Sequence, residues 1–200
     1  MHLADGVLSP TMVALTYVAT AASIGYELKK TDSEDIPKVA LMAGTFFAAS
    51  LISIPIPPSS VHPLLCGLIG IILGGKSVLA FFPALFLQAL LFRHGGLTTL
   101  GANTVLLFIP AVISSWIYRK IKLNPLVKGT IVGALSVVMT VIILVVILML
   151  TDKRFAAGDF SVVKILVLTH FPLVIAEGLI TGAAARFLEK TKTDWIYKGE

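Results

Sequence analysis

The stretch LVKGTIVGALSVVMTVIILVVILML, Leu126–Leu150, carries one charge, Lys128, and none in the 22 residues from Gly129 to Leu150. An α-helix rises about 1.5 Å per residue and a bilayer's hydrocarbon layer is about 30 Å thick, so roughly 20 apolar residues cross it. In hydrocarbon every backbone N–H and C=O must be satisfied within the protein, which leaves helices or closed barrels. The stretch shows no two-residue alternation, so it reads as a helix. The rest of the chain agrees. It is 56% hydrophobic and 14% charged, against about 25% charged in a soluble domain, and its mean hydropathy is +0.94.

Working outward, six further segments read as spans: 10–27, 36–54, 61–75, 77–92, 102–118 and 165–188, with 126–150 the sixth in chain order. The third and fourth are short and rich in Gly and Pro, and read as tilted or as ending within the membrane. The expectation is an all-α polytopic bundle of seven transmembrane helices, a single domain over 1–200, with a polar segment, 1–9, ahead of the first span. Lys and Arg collect on the cytoplasmic side of membrane proteins. With the N-terminus outside, Lys29, Lys30, Lys38, Lys76, Arg119, Lys120, Lys122, Lys128, Arg186, Lys190, Lys192 and Lys198 lie inside. Only Arg93, Lys153, Arg154 and Lys164 lie outside. The basic residues thus report orientation, N-terminus out and C-terminus cytoplasmic, and give no case for nucleic acid. Trp195 and Tyr197 suit an interfacial anchor, and Cys66, the one cysteine, reads as a small buried hydrophobe.

This orientation puts His2, His62, His94 and His170 on or near one face, although they are far apart in sequence. The chain opens MHLADGVLSP, with no basic n-region or small-residue cleavage site, so it does not read as a signal peptide. Met1 and His2 offer three nitrogens: the α-amine, the His2 amide once deprotonated, and the imidazole nitrogen nearer the backbone. They close fused chelate rings in one plane. A fourth imidazole completes a square, a geometry of Ni(II) or Cu(II) and not of zinc. His2 is too bulky to favour removal of Met1. His62, in the stiff segment PPSSVHP, is the best fourth ligand, with Ser59 or Ser60 expected to cap the helix that follows.

MHLADGVLSP, SSVHP, RHGGLTTLGANT and THFPLVIAEGLITG, in that order, resemble the substrate-binding S component of nickel/cobalt energy-coupling-factor transporters, the CbiM/NikM family. The resemblance implies a seven-helix bundle whose added N-terminal helix carries the amino terminus into the metal site. It implies Met1, His2 and His62 as ligands. It implies a transmembrane coupling (T) subunit, two cytoplasmic ATPases and often a small accessory membrane protein as partners in a prokaryotic cell (inner) membrane. The metal is then substrate, with no resident cofactor, and the chain itself is no enzyme. ATP hydrolysis falls to the partners: GGKS at Gly74–Ser77 lacks the first glycine of a phosphate loop. The planar site leans to Ni(II), with Co(II) the alternative.

The loop after the fourth span reads as a lid that orients the ligands, with His94 and Asn103 foremost and Thr98 and Thr99 behind; His94 as a direct ligand stays open. His170 and Glu177 lie seven apart, nearly two turns, on one helix face about 10 Å apart, and carry either a structural or a transport role. Ala40, Gly44 and Ala48 form a row of small residues, suited to packing inside the bundle or, by resemblance, to docking the coupling subunit. Among other function classes, an autonomous cation/proton antiporter using His170 and Glu177 needs a charge pathway and usually repeats, and neither is visible. An intramembrane metalloprotease needs H-E-x-x-H, which is absent.

Overall fold

A computed structural model describes residues 2–52, 54–56, 59–157 and 161–199. Its helices are α1 (Pro10–Leu28), α2 (Ile36–Ser50), α3 (Cys66–Leu73), α4 (Ser77–Phe92), α5 (Leu100–Lys120), α6 (Pro125–Thr151) and α7 (Val162–Thr191). Three helix starts follow directly from sequence. Ser9, Asn124 and Ser161 each present a side-chain oxygen to the third backbone N–H beyond them, and Pro10 and Pro125 occupy the first position of α1 and α6. A missing N–H costs nothing there. By length and composition Leu100–Lys120, Pro125–Thr151 and Val162–Thr191 each suffice to cross a bilayer, as does the combined stretch Cys66–Phe92, which is broken at Gly74. Leu168 is 76% exposed and Leu150 68%, a surface that suits lipid and not water.

The second and third expected spans differ from the helices observed. α2 stops at Ser50, and two short strands follow, β1 (Ile54–Ile56) and β2 (Ser59–Val61), paired antiparallel. Ser59 and Ser60 therefore lie in a strand and not at the start of a helix. α3 begins only after Leu65, whose φ of 52° breaks the extended run. Its eight residues span about 12 Å, too little to cross the membrane alone. At Gly74 (φ 56°, ψ −127°) the chain turns, Lys76 pairs with Asp35 at 2.5 Å, and α4 returns toward the end from which α3 came.

In lipid the apolar faces gain little by leaving their surroundings, so helix association rests on close packing and hydrogen bonds. α6 and α7 meet through two facing G-x-x-x-G rows that the sequence reading passed over, Gly129/Gly133 and Gly178/Gly182. A methyl on Gly133 would stand 2.5 Å from the Glu177 carbonyl oxygen, and one on Gly182 2.2 Å from the Thr130 hydroxyl. Phe46 and Phe81 pack edge to face at 5.1 Å in the central core. At the Lys76 end the C-terminal tail is tied in: Tyr197 donates its N–H to Ile71 O at 2.9 Å, its ring covers Gly74, and Lys38 donates to Asp194 O at 3.2 Å.

Gly133→Val forces the α6–α7 backbones apart, an overpacking cost of about 1–3 kcal/mol. It should lower the unfolding temperature of the purified protein in detergent. Gly25→Ala, where nothing lies within 4 Å, should not.

Candidate metal centre

The polar segment ahead of α1 is built into the bundle. Leu3, Leu8 and Met12 pack with Ala102 and Leu106 of α5 and with Leu144, Ile147 and Leu148 of α6. Its backbone is held as a strand partner would hold it. Leu3 donates its N–H to Asn103 Oδ1 at 2.8 Å, and Leu3 O accepts from Asn103 Nδ2 at 3.0 Å and Thr99 Oγ1 at 2.5 Å. Asp5 Oδ1 accepts from Thr98 N at 2.8 Å and Thr98 Oγ1 at 2.5 Å, and these bonds hold its carboxyl below the usual range. Tyr17 donates its hydroxyl to Leu97 O. Asn103, Thr98 and Thr99 thus all grip the Leu3–Asp5 backbone or side chain.

Gly95 and Gly96 make this contact possible. Gly95 has φ +83°, where a side chain is strained, and its absent methyl would lie 3.1 Å from His2 Cβ. A methyl on Gly96 would come within 2.2 Å of Asp5 Oδ1. His94, by contrast, is exposed, with its ring 6.3 Å from that of Phe92.

This clamp brings His2 beside His62, their ring centroids 4.8 Å apart and tilted by 37°. His62 is 6% exposed. Its Nδ1 lies 2.9 Å from Pro63 O; a carbonyl only accepts, so Nδ1 carries the proton and Nε2 keeps a bare lone pair. That Nε2, like His2 Nε2, is buried without a hydrogen-bond partner among the described residues. Burial holds both imidazoles below their ordinary pKa, and positive charge at the amino terminus and on neighbouring histidines opposes protonation further. Both rings are therefore neutral at neutral pH, the form that ligates metal.

His62 is positioned from below. Glu177, wholly buried on α7, accepts from Leu64 N at 2.7 Å and Leu65 N at 3.0 Å. Its carboxylate supplies the cap that α3's own sequence lacks. His170, two turns away on α7, is buried, with Nδ1 2.6 Å from Leu166 O and Nε2 without a hydrogen-bond partner among the described residues. Met1 lies outside the described residues. Among the described residues no three His, Cys, Asp or Glu side chains converge on one point.

One residue at this site escaped the sequence reading. Gln88 on α4 is fully buried beside the His2 ring. It is the one polar side chain between Val78 and Phe92, and a lone polar group in an apolar span is itself a functional signal. Ala40, Gly44 and Ala48 lie on the exposed face of α2, with nothing within 4 Å of where a Gly44 methyl would sit. Packing inside the bundle does not explain the row. It borders an apolar groove of about 430 Å³ between α2 and α4.

The family model for CbiM, the cobalt uptake substrate-specific transmembrane region, matches residues 2–195. The chain belongs to the CbiM family. A cobalt transport protein CbiM of Clostridium tetani is 34% identical over 204 residues, covering 95% of this chain and 85% of its own. An Archaeoglobus fulgidus fusion named for nickel transport, NikMN, is 28% identical, covering 98% of this chain and 68% of its own. A solved structure described as a transition metal transporter superposes with a TM-score of 0.79 at 26% identity, over 95% of this chain and 93% of that one. With its apolar helices, the CbiM-family chain is an integral membrane protein of metal uptake.

Asn103→Leu keeps the volume but strands the Leu3 N–H, at about 1–3 kcal/mol for a buried group left unpaired, while Leu3 O keeps its bond from Thr99 Oγ1. Hydrogen exchange at Leu3 should accelerate in this variant while exchange in α6 stays slow.

Proposed function

We propose that the chain captures Ni(II) from outside the cell in a square of four nitrogens: the Met1 amine, the His2 amide, the His2 imidazole Nδ1 and His62 Nε2. The observation that carries this reading is the His2–His62 pair, ring centroids 4.8 Å apart, with the His62 proton kept on Nδ1 and donated to Pro63 O so that Nε2 is free to ligate. Ni(II) pairs its d electrons in a strong planar nitrogen field, and Co(II) gains less from it. The family description names cobalt, so Co(II) is the second reading. A visible spectrum separates the two: the proposed nickel complex is yellow and diamagnetic.

In this reading the histidine end faces outward and seven segments cross or enter the membrane. Basic groups gather at the opposite end, where Lys76 pairs with Asp35, Lys128 with Glu189, and Arg119 lies over Tyr197. Such a bias belongs to the cytoplasmic side. The chain catalyses nothing itself: a coupling subunit, two ATPases and, in some systems, a small accessory protein supply transport energy in the prokaryotic inner membrane. The exposed Ala40–Gly44–Ala48 row of α2 offers the coupling subunit a close backbone approach. An antiporter using Glu177 is disfavoured, because two backbone N–H groups already occupy its carboxylate.

Two measurements test the site. Adding one residue ahead of Met1 turns the amine into an amide and moves it out of the plane, so nickel affinity in calorimetry should be lost, while a C-terminal tag should leave it intact. The pH dependence follows from proton release. With both imidazoles already neutral, the His2 amide gives up one proton at every pH. The amine, with an ordinary pKa of about 7.7–8.0, gives up one more only below that range. Log Kd should rise by about one unit per pH unit lost above pH 8 and by about two below pH 7. A flat profile would count against amine and amide ligation.

A further inference from the structure

The square plane asks the two imidazoles for opposite tautomers. His62 ligates through Nε2 and keeps its proton on Nδ1, and Pro63 O is there to accept it. His2 ligates through Nδ1, the nitrogen that closes the chelate ring, so its proton has to sit on Nε2. That Nε2 is buried without a hydrogen-bond partner among the described residues. A buried N–H needs an acceptor.

Gln88 lies beside the His2 imidazole. Both of its amide atoms, Oε1 and Nε2, are buried without a hydrogen-bond partner among the described residues. Two sets of unmet hydrogen-bonding groups therefore lie side by side. The Gln88 backbone is fixed, because its carbonyl accepts the N–H groups of Arg93 and His94 where α4 ends in a left-handed residue. Only the side-chain torsions remain to be set. No other polar side chain of α4 beyond Ser77 is available to meet the ring.

We infer that Gln88 is the positioning residue that selects the His2 tautomer: its Oε1 accepts the His2 Nε2–H and so leaves Nδ1 bare for the metal. This rests on the planar reading above. The pairing also fixes the ring's rotation about its Cβ–Cγ bond, which a planar complex demands more strictly than a tetrahedral one. Groups that orient metal-bound imidazoles in this way typically change affinity by about 10–100-fold when removed.

The test uses the full chain in detergent with Ni(II) alone as probe. Nitrogen-15 histidine spectra of the diamagnetic wild-type complex should show the His2 proton on Nε2, slowly exchanging, with a nuclear Overhauser contact to the Gln88 amide. Gln88→Met, close in shape but without an acceptor, should weaken nickel binding about 10–100-fold and shift the visible band. Gln88→Glu, which restores an acceptor, should recover affinity and band position. A wild-type complex with the His2 proton on Nδ1, or a Gln88→Met protein with wild-type affinity and spectrum, overturns the inference. The N-terminal extension separates the two levels. If extension abolishes binding and Gln88→Met does not, this inference alone fails; if extension leaves binding intact, the planar reading fails first.

Discussion

The structure turns on a carboxylate with no access to water. Glu177, in the middle of α7, accepts the backbone N–H groups of Leu64 and Leu65. Hydrogen bonds to a charged group are worth about 1.5–3 kcal/mol each, and the desolvation of a lone buried carboxylate would outweigh any one of them. The contact therefore persists only as a set. It fixes the point at which the β-hairpin becomes α3, two residues beyond His62. It also ties that point to the α6–α7 pair, whose glycine rows leave no room for sliding. The ligand imidazole is thus referenced to the most tightly packed helix pair in the molecule.

The other half of the site is referenced differently. His2 belongs to a segment with no helix or sheet of its own, and it borrows order from α5. Asn103 reads the Leu3 amide in both directions, and the Gly95–Gly96 turn removes the side chains that would otherwise hold the segment off. Two imidazoles far apart in sequence thereby meet at one spot, each held through hydrogen bonds to a different helix.

Much of this was legible in the sequence for identifiable reasons. Apolar runs bounded by Ser9-Pro10 and Asn124-Pro125 announce helix starts because capping is local chemistry. His2, His62 and Asn103 stand out because polar groups are rare in such a composition. What stayed hidden depends on partners remote in sequence. The shortness of α3 comes from Leu65 and Gly74 adopting positive φ, which the apolar run CGLIGIIL does not reveal. The cap that α3 needs comes from a residue 113 positions away in Glu177. The serines of SSV were read as caps because Ser favours that role, but strand pairing with Ile54–Ile56 claims them. Gln88 and the paired G-x-x-x-G rows were visible and simply unread.

The seam between Gly96 and Asp5 carries one more consequence. Protein surfaces are ordinarily where sequence can drift, and interiors where it cannot. Here a loop at the rim of the bundle rejects even a single added methyl, since the atoms it would strike include the Asp5 backbone nitrogen at 2.5 Å. The keyway into which the first residues slot is therefore less forgiving than the greasy flank of α7, and a library of random variants should preserve that glycine more stubbornly than most of the leucines facing lipid.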